Sequence, residues 1–430
     1  MTQLVVSVDP CGAGTVCGVI RAPIVLANPH LLEPVELGDL DAINGPEAIR
    51  DLGERLAERI RANVNVGLVL DHALAIPAQA GSLPICFRIG DSMAHALSWE
   101  ALVGNNAFFA LDQRWPIARI ARGGMQEPRQ IQQSFSGSLR FVAVLSAVQT
   151  SAVKEWEGLC RAVEQARMRG LAVDVTVFAG EEEIIEAVRA LPADQATAMP
   201  VPGTAQELLD RLRSLEPHLL HLYCHGSIES ELGLLSIGTV TDFDRDDGRS
   251  SVGLRVDELG QEMADAGTWA IVLNACEGAA AGEGTLTHAE AIVNAGVPVA
   301  VGMRRLVDAA DARAFSAAFY AEALKAIAEA VAVPAGQSTT LEWAGTLVRA
   351  RRVLRDNHGP NPAHHDAWTL PVLYTREGAF QLTVADAVDA AAVTHSVAES
   401  ETLGGIVDVL ADSAPPGLLE DLRELTPPSP

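Results

Sequence analysis

The sequence predicts an α/β fold with a mostly parallel central sheet covered by helices on both faces. Two runs, 219–226 and 269–278, have strand length, are largely apolar, and each end in glycine. Runs of this kind are typical of strands buried on both faces of a sheet. A strand, helix and strand pattern over residues 139–178 is the signature of parallel pairing. These two observations predict the fold class.

Helix and strand signals continue along the chain. Residues 139–145 form a predicted strand, 153–169 a helix, and 173–178 the next strand. Threonine followed three residues later by glutamate marks a helix start. Boxes of this type predict helices beginning at Thr204, Thr287 and Thr339. Further predicted elements are helices over 46–61 and 308–331 and a last strand over 368–373.

The amino-terminal part begins with two predicted strands, 4–8 and 15–20, joined by a turn that contains Gly12 and Gly14. Glycines after a strand cradle a pyrophosphate when a helix follows. Here a second strand pattern follows instead. The pattern therefore favours a hairpin over a nucleotide site.

Composition excludes several classes of partner. The net charge is −25, and we find no basic patch, which argues against nucleic acid or an anionic membrane. No run is long enough to span a membrane, and the first residues lack the basic region of a signal peptide. The 6 cysteines are too few for a disulfide framework, so we expect a reducing, cytoplasmic location. The acidity favours basic partners or substrates.

Three regions are predicted. Residues 1–135 form an amino-terminal α/β region, 136–380 the core, and 381–430 an acidic tail. The tail has nine acidic residues against one arginine, and it lacks the apolar area for its own core. It is either a lightly packed extension or a docking segment that recruits a partner through short amphipathic helices.

A nucleophile and a base lie at the ends of the two apolar runs. In open α/β sheets the carboxyl ends of neighbouring strands form the ligand crevice, so His225 and Cys276 are predicted to share one rim. Imidazole can take the proton of a thiol, and the thiolate attacks a carbonyl carbon. The backbone N–H groups of Gly226 and Cys276 are candidates for the oxyanion hole. Cys276 lies 51 residues after His225, close to the spacing of caspases.

These residues resemble a known family. The motifs that carry the resemblance are His225-Gly226, Asn274 to Gly278, Ala295 to Met303, and Ala314-Phe315 to Phe319-Tyr320. They look like those of a CHAT domain, which belongs to the caspase and separase clan of cysteine peptidases. The resemblance implies a three-layer caspase-like sandwich and a cysteine endopeptidase with a Cys-His dyad and no cofactor.

The resemblance also implies a biological role. CHAT peptidases commonly act as regulated proteases in bacterial stress or defence, cutting one partner protein after a sensor signals. We therefore expect a protein substrate, encoded near this gene, and a sensor or activator protein. Two other functions stay open. One is a non-catalytic adaptor that docks partners through the acidic tail, and the other is a thiol hydrolase of small esters or amides.

Each site residue also has a purely structural interpretation. A cysteine at the end of an apolar strand is often an inert core residue, and the motif around Cys276 argues against this. His221 lies on the face of His225 but deeper in the sheet, where a hydrogen-bonded core histidine is expected. Cys224 alternates to the opposite face and is predicted to pack there.

Metal sites are weakly supported. His288-Ala289-Glu290 matches half of a zinc deaminase signature, but the chain has no Cys-x-x-Cys. The acidic run from Asp242 to Gly248 departs from the calcium loop of EF-hands, so a solvated loop is expected. In a caspase-like enzyme this loop could be cut for activation, with Arg245 and Arg249 as hypothetical self-cleavage points.

Substrate preference is predicted only in outline. Several caspase-clan relatives hold a basic residue against a buried acid. The segment 304–311 lies where the pocket wall should be, and Asp308 and Asp311 are the candidate acids. Both acids fit equally well as caps of the next helix, because the amino end of a helix favours negative charge.

Overall fold

We describe the fold from a computed structural model of the 430-residue chain. The described residues are 3–12, 14–40, 48–77, 81–90, 92–121, 131–229, 232–245, 248–275, 284–305, 307–359 and 361–385.

The strands and helices within these residues are numbered in chain order. The strands are β1 Leu4–Cys11, β2 Gly14–Arg21, β3 Leu32–Val35, β4 Ile85–Ile89, β5 Val103–Gly104, β6 Ala107–Phe108, β7 Ile117–Ile120, β8 Ile131–Phe135, β9 Leu139–Leu145, β10 Val173–Ala179, β11 Thr197–Pro200, β12 Leu219–Glu229, β13 Leu232–Ile237, β14 Val252–Arg255, β15 Ala270–Ala275, β16 Val299–Met303, β17 Ser338–Leu341, β18 Pro371–Thr375 and β19 Phe380–Val384. The helices are α1 Ile49–Arg61, α2 Val64–Ala75, α3 Ser92–Ala96, α4 Val153–Met168, α5 Glu182–Arg189, α6 Ala205–Leu215, α7 Val240–Arg245, α8 Val256–Asp265, α9 Gly284–Ala295, α10 Ala309–Val331 and α11 Thr346–Asn357.

One large sheet runs through the molecule in the order β11-β10-β9-β12-β15-β16-β18-β7-β4-β1-β2-β3. The first six strands of this order are parallel to one another. β18 pairs antiparallel with β16, and β18, β7, β4 and β1 are again mutually parallel. The carboxyl ends of β12, β15 and β16 therefore lie on the same edge as the amino ends of β18 and β7.

Helices cover both faces of this sheet. On the first face, α10 packs between α4 and α11. On the second face, α8 packs against α6 and α9. Side chains of β12 and β15 alternate between the two core clusters that lie under these helix layers. The predicted three-layer α/β fold is confirmed.

Several predicted elements are found as expected. The pattern over 139–178 is β9, α4 and β10, and the two strands pair in parallel. The amino-terminal turn joins an antiparallel hairpin of β1 and β2, so no helix follows the glycines. Thr204 caps α6 by accepting the N–H of Glu207 at 3.2 Å.

Two capping boxes and one strand were predicted wrongly. α9 begins at Gly284, ahead of Thr287, and Thr339 lies within β17, which pairs with β19. Pairing in this small sheet overrides the local helix signal. The strand predicted over 368–373 is β18, which begins only at Pro371 because residues 367–369 form a short 3₁₀ helix, and β19 follows it.

The amino-terminal strands share the large sheet with the strands of residues 136–380. Residues 381–384 of the predicted tail belong to β19, which pairs with β8 and β17. Residues 386–430 lie outside the described residues, so the structure leaves the docking hypothesis as a prediction.

A fully buried ion pair joins β7 to the segment before it. Arg119 donates to both carboxylate oxygens of Glu100, at 3.2 and 2.9 Å, and to the carbonyls of His95 and Leu97. Burial alone would raise the pKa of Glu100, but Arg119 outweighs burial and lowers it. The carboxylate is therefore charged inside the core, where a lost partner is costly.

Replacing Glu100 with alanine leaves Arg119 charged and buried without its carboxylate. We expect a loss of about 3–5 kcal/mol in the free energy of unfolding, measured with urea. The matched control is Glu54→Ala, which removes an exposed i, i+4 pair with Arg50 and should cost about 0.3–0.5 kcal/mol. Equal losses for the two variants would contradict this account.

Candidate active site

The predicted site lies where two neighbouring strands stop. In the parallel pairing of β12 with β15, Cys224 is aligned with Ala275. These are the residues immediately before His225 and Cys276 in the sequence. Cys276 itself lies outside the described residues. The carboxyl ends of the two strands therefore meet at one edge, as predicted for this fold class.

His225 is held by the loop that follows β9. Its Nε2 lies 2.7 Å from the carbonyl oxygen of Val148. A carbonyl only accepts, so Nε2 carries the proton and Nδ1 of the neutral ring is the basic nitrogen. Nδ1 is buried and has no hydrogen-bond partner among the described residues. The ring is thus oriented with one basic nitrogen available.

Gly226 lies in the part of β12 that pairs with β13, which starts at His225. Gly226 is aligned with Leu235, and a β-carbon at Gly226 would lie 3.2 Å from Cε1 of His288. At Gly233 on β13 a β-carbon would lie only 2.3 Å from Cδ2 of the same ring. Glycine at these two positions lets the hairpin pack closely against α9.

His288 serves this packing. Its Nε2 lies 3.0 Å from the carbonyl oxygen of Ser227, and burial lowers the pKa of the ring. No cluster of His, Cys, Asp or Glu that could hold a metal ion occurs in the part of the chain that the structure describes.

The two other strand residues that the sequence singled out have structural roles. His221 is fully buried on the first face, and its Nε2 lies 3.1 Å from Oε1 of Glu155. Cys224 is buried in the core of the second face. The predicted burial of His221 and packing of Cys224 are confirmed, but the predicted hydrogen bond of His221 is not found among the described residues.

Sequence reasoning missed two buried polar residues near the strand ends. Glu155 of α4 and Asn274 of β15 are almost fully buried, and Nδ2 of Asn274 lies 3.0 Å from Oε1 of Glu155. A signal was present. Glu155 falls in the helical stripe of Leu159 and Ala162, which faces the core, and an acidic residue in such a stripe calls for a partner.

The two candidate pocket acids sit at the start of α10. Asp308 is exposed and caps the helix, accepting the N–H of Ala310 at 2.6 Å. Asp311 is buried and accepts from Nε2 of His358 at 2.5 Å and from Nδ2 of Asn357 at 3.3 Å. Asp308 therefore acts as a helix cap, whereas Asp311 links α10 to the carboxyl end of α11.

Two arginines follow β16 and share one carboxylate. Arg304 lies 3.6 Å from Oδ2 of Asp366, and Arg305 contacts the same oxygen. Arg304 is buried and also donates to the carbonyl of Ala96 and to Thr369. Burial lowers the pKa of Arg304 to about 9. The predicted pocket segment 304–311 therefore carries the basic side chains of Arg304 and Arg305 as well as the acid Asp311.

The acidic run between the two strands begins as a closed turn. Both carboxylate oxygens of Asp242 accept from backbone or hydroxyl groups of Thr239 and Ser251. Burial favours a higher pKa for Asp242, but these hydrogen bonds outweigh burial and lower it to about 2. The expected solvated loop is wrong for Asp242, which is 2% exposed. Arg245 and Arg249 are both exposed.

The described residues thus form an α/β sandwich with a large, mostly parallel central sheet, and His225 stands at one edge of it. The model of the CHAT domain family matches residues 47–374, well over half of the chain. The chain therefore belongs to the CHAT domain family, and the resemblance seen in the sequence is confirmed. No curated protein matches the chain.

Solved structures with similar folds include two peptidases. The separase of Saccharomyces cerevisiae, in complex with securin, is 13% identical with a TM-score of 0.34, covering 84% of this chain and 22% of that chain. The Arg-specific cysteine proteinase gingipain R is 10% identical with a TM-score of 0.39, covering 78% of this chain and 68% of that chain. The chain thus spans less than a quarter of the separase. No helix among the described residues is long and apolar enough to cross a membrane.

The capping role of Asp308 can be tested by two substitutions. Asp308→Ala removes the acceptor for the N–H of Ala310 and should lower the free energy of unfolding by about 0.5–2 kcal/mol. Asp308→Asn keeps a good capping residue and should stay close to wild type. Urea unfolding measures both, and an alanine variant as stable as wild type would exclude the cap.

Proposed function

We propose that this chain is a cysteine endopeptidase in which Cys276 is the nucleophile and His225 the base. Its substrate is one specific partner protein, encoded nearby, and a sensor or activator protein controls the cleavage in a bacterial defence or stress response. Membership of the CHAT family supports the peptidase, and the acidic net charge of −25 supports a protein partner over nucleic acid.

The observation that carries the proposal is the strand register. Cys224 and Ala275 are aligned, and the next residue along each strand is a proposed catalytic residue. His225 and Cys276 are each one residue beyond an aligned pair, Cys224 and Ala275. Consecutive Cα atoms are about 3.8 Å apart, so we expect the two residues to be near each other. By alternation along the strands, His225 lies on the face that His221 and Asn274 share, and the same alternation predicts that face for Cys276.

The hydrogen bond to Val148 determines how the base acts. Because Nε2 donates to the carbonyl, Nδ1 of His225 accepts the proton of the Cys276 thiol. The thiolate attacks the scissile carbonyl carbon, forming a C–S bond and an oxyanion. The N–H groups of Gly226 and Cys276 stabilise that oxyanion. The imidazolium then gives its proton to the departing amine as the C–N bond breaks.

Hydrolysis of the acyl-enzyme completes the cycle. Nδ1 of His225 takes a proton from water, and the resulting hydroxide attacks the thioester carbonyl. The sulfur leaves as thiolate and regains a proton from the imidazolium. The carbonyl of Val148 holds the ring in one orientation through both halves of the reaction.

A thiol-directed peptidyl probe tests the dyad. We expect the probe to label wild type and not Cys276→Ala, and we expect His225→Ala to lower kcat by about 10²–10⁴-fold through loss of general base catalysis. Intact mass and peptide mapping give the labelled residue. An adaptor without catalysis would leave Cys276 unlabelled.

The other cysteines require matched controls. Cys11 is exposed, so every variant is made in a Cys11→Ser background to remove labelling unrelated to the site. Cys224→Ala, one residue before His225 and buried on the other face, should keep full labelling. Incubation with each protein encoded beside the gene, followed by sequencing of new amino termini, separates an endopeptidase from a hydrolase of small esters.

The pocket acids yield a separate prediction about specificity. If Asp308 and Asp311 receive a basic substrate side chain, Asp308→Asn removes one charge while keeping the helix cap. We expect kcat/KM to fall by about tenfold for peptides with arginine before the cut, since a charge-assisted contact contributes about 1.5–3 kcal/mol. Peptides with a neutral residue at that position are the control. An equal effect on both peptides would remove Asp308 from the pocket.

A further inference from the structure

A buried polar network links the two strands of the proposed dyad beneath their ends. Oε1 of Glu155 lies 3.1 Å from Nε2 of His221 on β12 and 3.0 Å from Nδ2 of Asn274 on β15. The amide of Asn274 also donates to the carbonyl of Ala312 at 3.0 Å and to Oγ of Ser316 at 2.8 Å. The carboxylate of Glu155 on α4 thus contacts both strands, and one turn of α10 is bonded to Asn274 on β15.

The network is an expensive way to fill this part of the core. His221 and Asn274 are fully buried and Glu155 is 1% exposed. Among the described residues, Oε2 of Glu155, both ring nitrogens of His221 and Oδ1 of Asn274 have no hydrogen-bond partner, so the contact between Glu155 and His221 is electrostatic. Apolar side chains of similar size in place of buried charged groups are often neutral or stabilising. Stability alone therefore does not explain these residues.

Their place in the sheet gives another explanation. His221 lies four residues before His225 on the same face of β12, and Asn274 lies on that face of β15, two residues before Cys276 in the sequence. His221 is aligned with Val272, so the two network residues are offset by two positions along the paired strands. The carboxylate therefore bridges the strands diagonally, directly below the rim.

We propose that Asn274, Glu155 and His221 are positioning residues that fix the ends of β15 and β12 relative to one another and so set the distance between sulfur and imidazole. This inference rests on the proposed function. The bonds from Asn274 to α10 fix the end of β15, the last described residues before Cys276. The contact with Glu155 ties that position to the strand of His225.

The chemistry requires such control. Transfer of a proton from thiol to Nδ1 needs the two groups within hydrogen-bond distance, and a displacement of about 1 Å costs on the order of a hundredfold in rate. The last described pair of this ladder is Cys224 and Ala275. His221 and Asn274 lie within three residues of that pair, so their contacts with Glu155 can hold the two strands in position there.

Asn274→Leu tests the proposal, because leucine has similar volume and makes none of the three bonds. We expect kcat and the rate of Cys276 alkylation to fall at least about tenfold with KM unchanged, since misplacement acts on the chemical step. The melting temperature should fall, because Glu155 loses its amide partner in the core, so kcat is measured well below the unfolding transition. Glu155→Gln keeps an acceptor for both partners and should retain activity within about threefold of wild type.

Leu273→Ala is the matched control for a purely structural loss. Leu273 neighbours Asn274 on β15 but faces the other core, so this variant should lower the melting temperature and leave kcat of the folded protein near wild type. A wild-type kcat in Asn274→Leu, or a rate loss that follows the melting temperature across all variants, would overturn the proposal. A wild-type protein whose Cys276 is inert toward the probe overturns the proposed function instead.

Discussion

The parallel pairing of β12 with β15 is the constraint on which the site depends. β9 and β15 flank β12, and their paired residues end at Leu145 and Ala275, opposite Tyr223 and Cys224. β12 continues beyond both and turns to a new antiparallel partner, β13, starting at His225. His225 is therefore the residue at which β12 passes from its parallel neighbours to its antiparallel partner β13. A side chain at such a position can face a crevice.

Sequence patterns predicted this arrangement because they describe forces that act locally or repeat regularly. Apolar runs identified β12 and β15, since a strand covered on both faces needs apolar residues at nearly every position. Alternation with a period of two placed Cys224 and His221 on opposite faces, as observed. The edge shared by the two strand ends follows from parallel direction alone, so it was predictable without side-chain detail.

The sequence did not predict contacts made by backbone groups or by residues that are distant along the chain. The carbonyl of Val148 orients His225, and a carbonyl carries no residue identity. The boxes at Thr287 and Thr339 failed because the signal is local whereas pairing is not. Thr339 is aligned with Leu382 in a small sheet, and the carboxylate of Glu342 instead accepts the N–H groups of Ala344 and Gly345 ahead of α11. Tertiary pairing decided both outcomes.

The buried carboxylates have specific partners within the fold, so their environment does not depend on the net charge of −25. Glu100 and Asp366 pair with arginine, and Asp311 pairs with histidine, so these interior carboxylates are bound to specific donors. The arginines in turn donate to more than one group. Arg351 reaches the carbonyls of Ile117 and Pro371 at the amino ends of β7 and β18. A planar guanidinium with five donors can satisfy strand ends in this way, whereas a lysine ammonium acts as a single point charge. The buried arginines therefore organise the amino ends of β7 and β18, on the edge where the carboxyl end of β15 also lies.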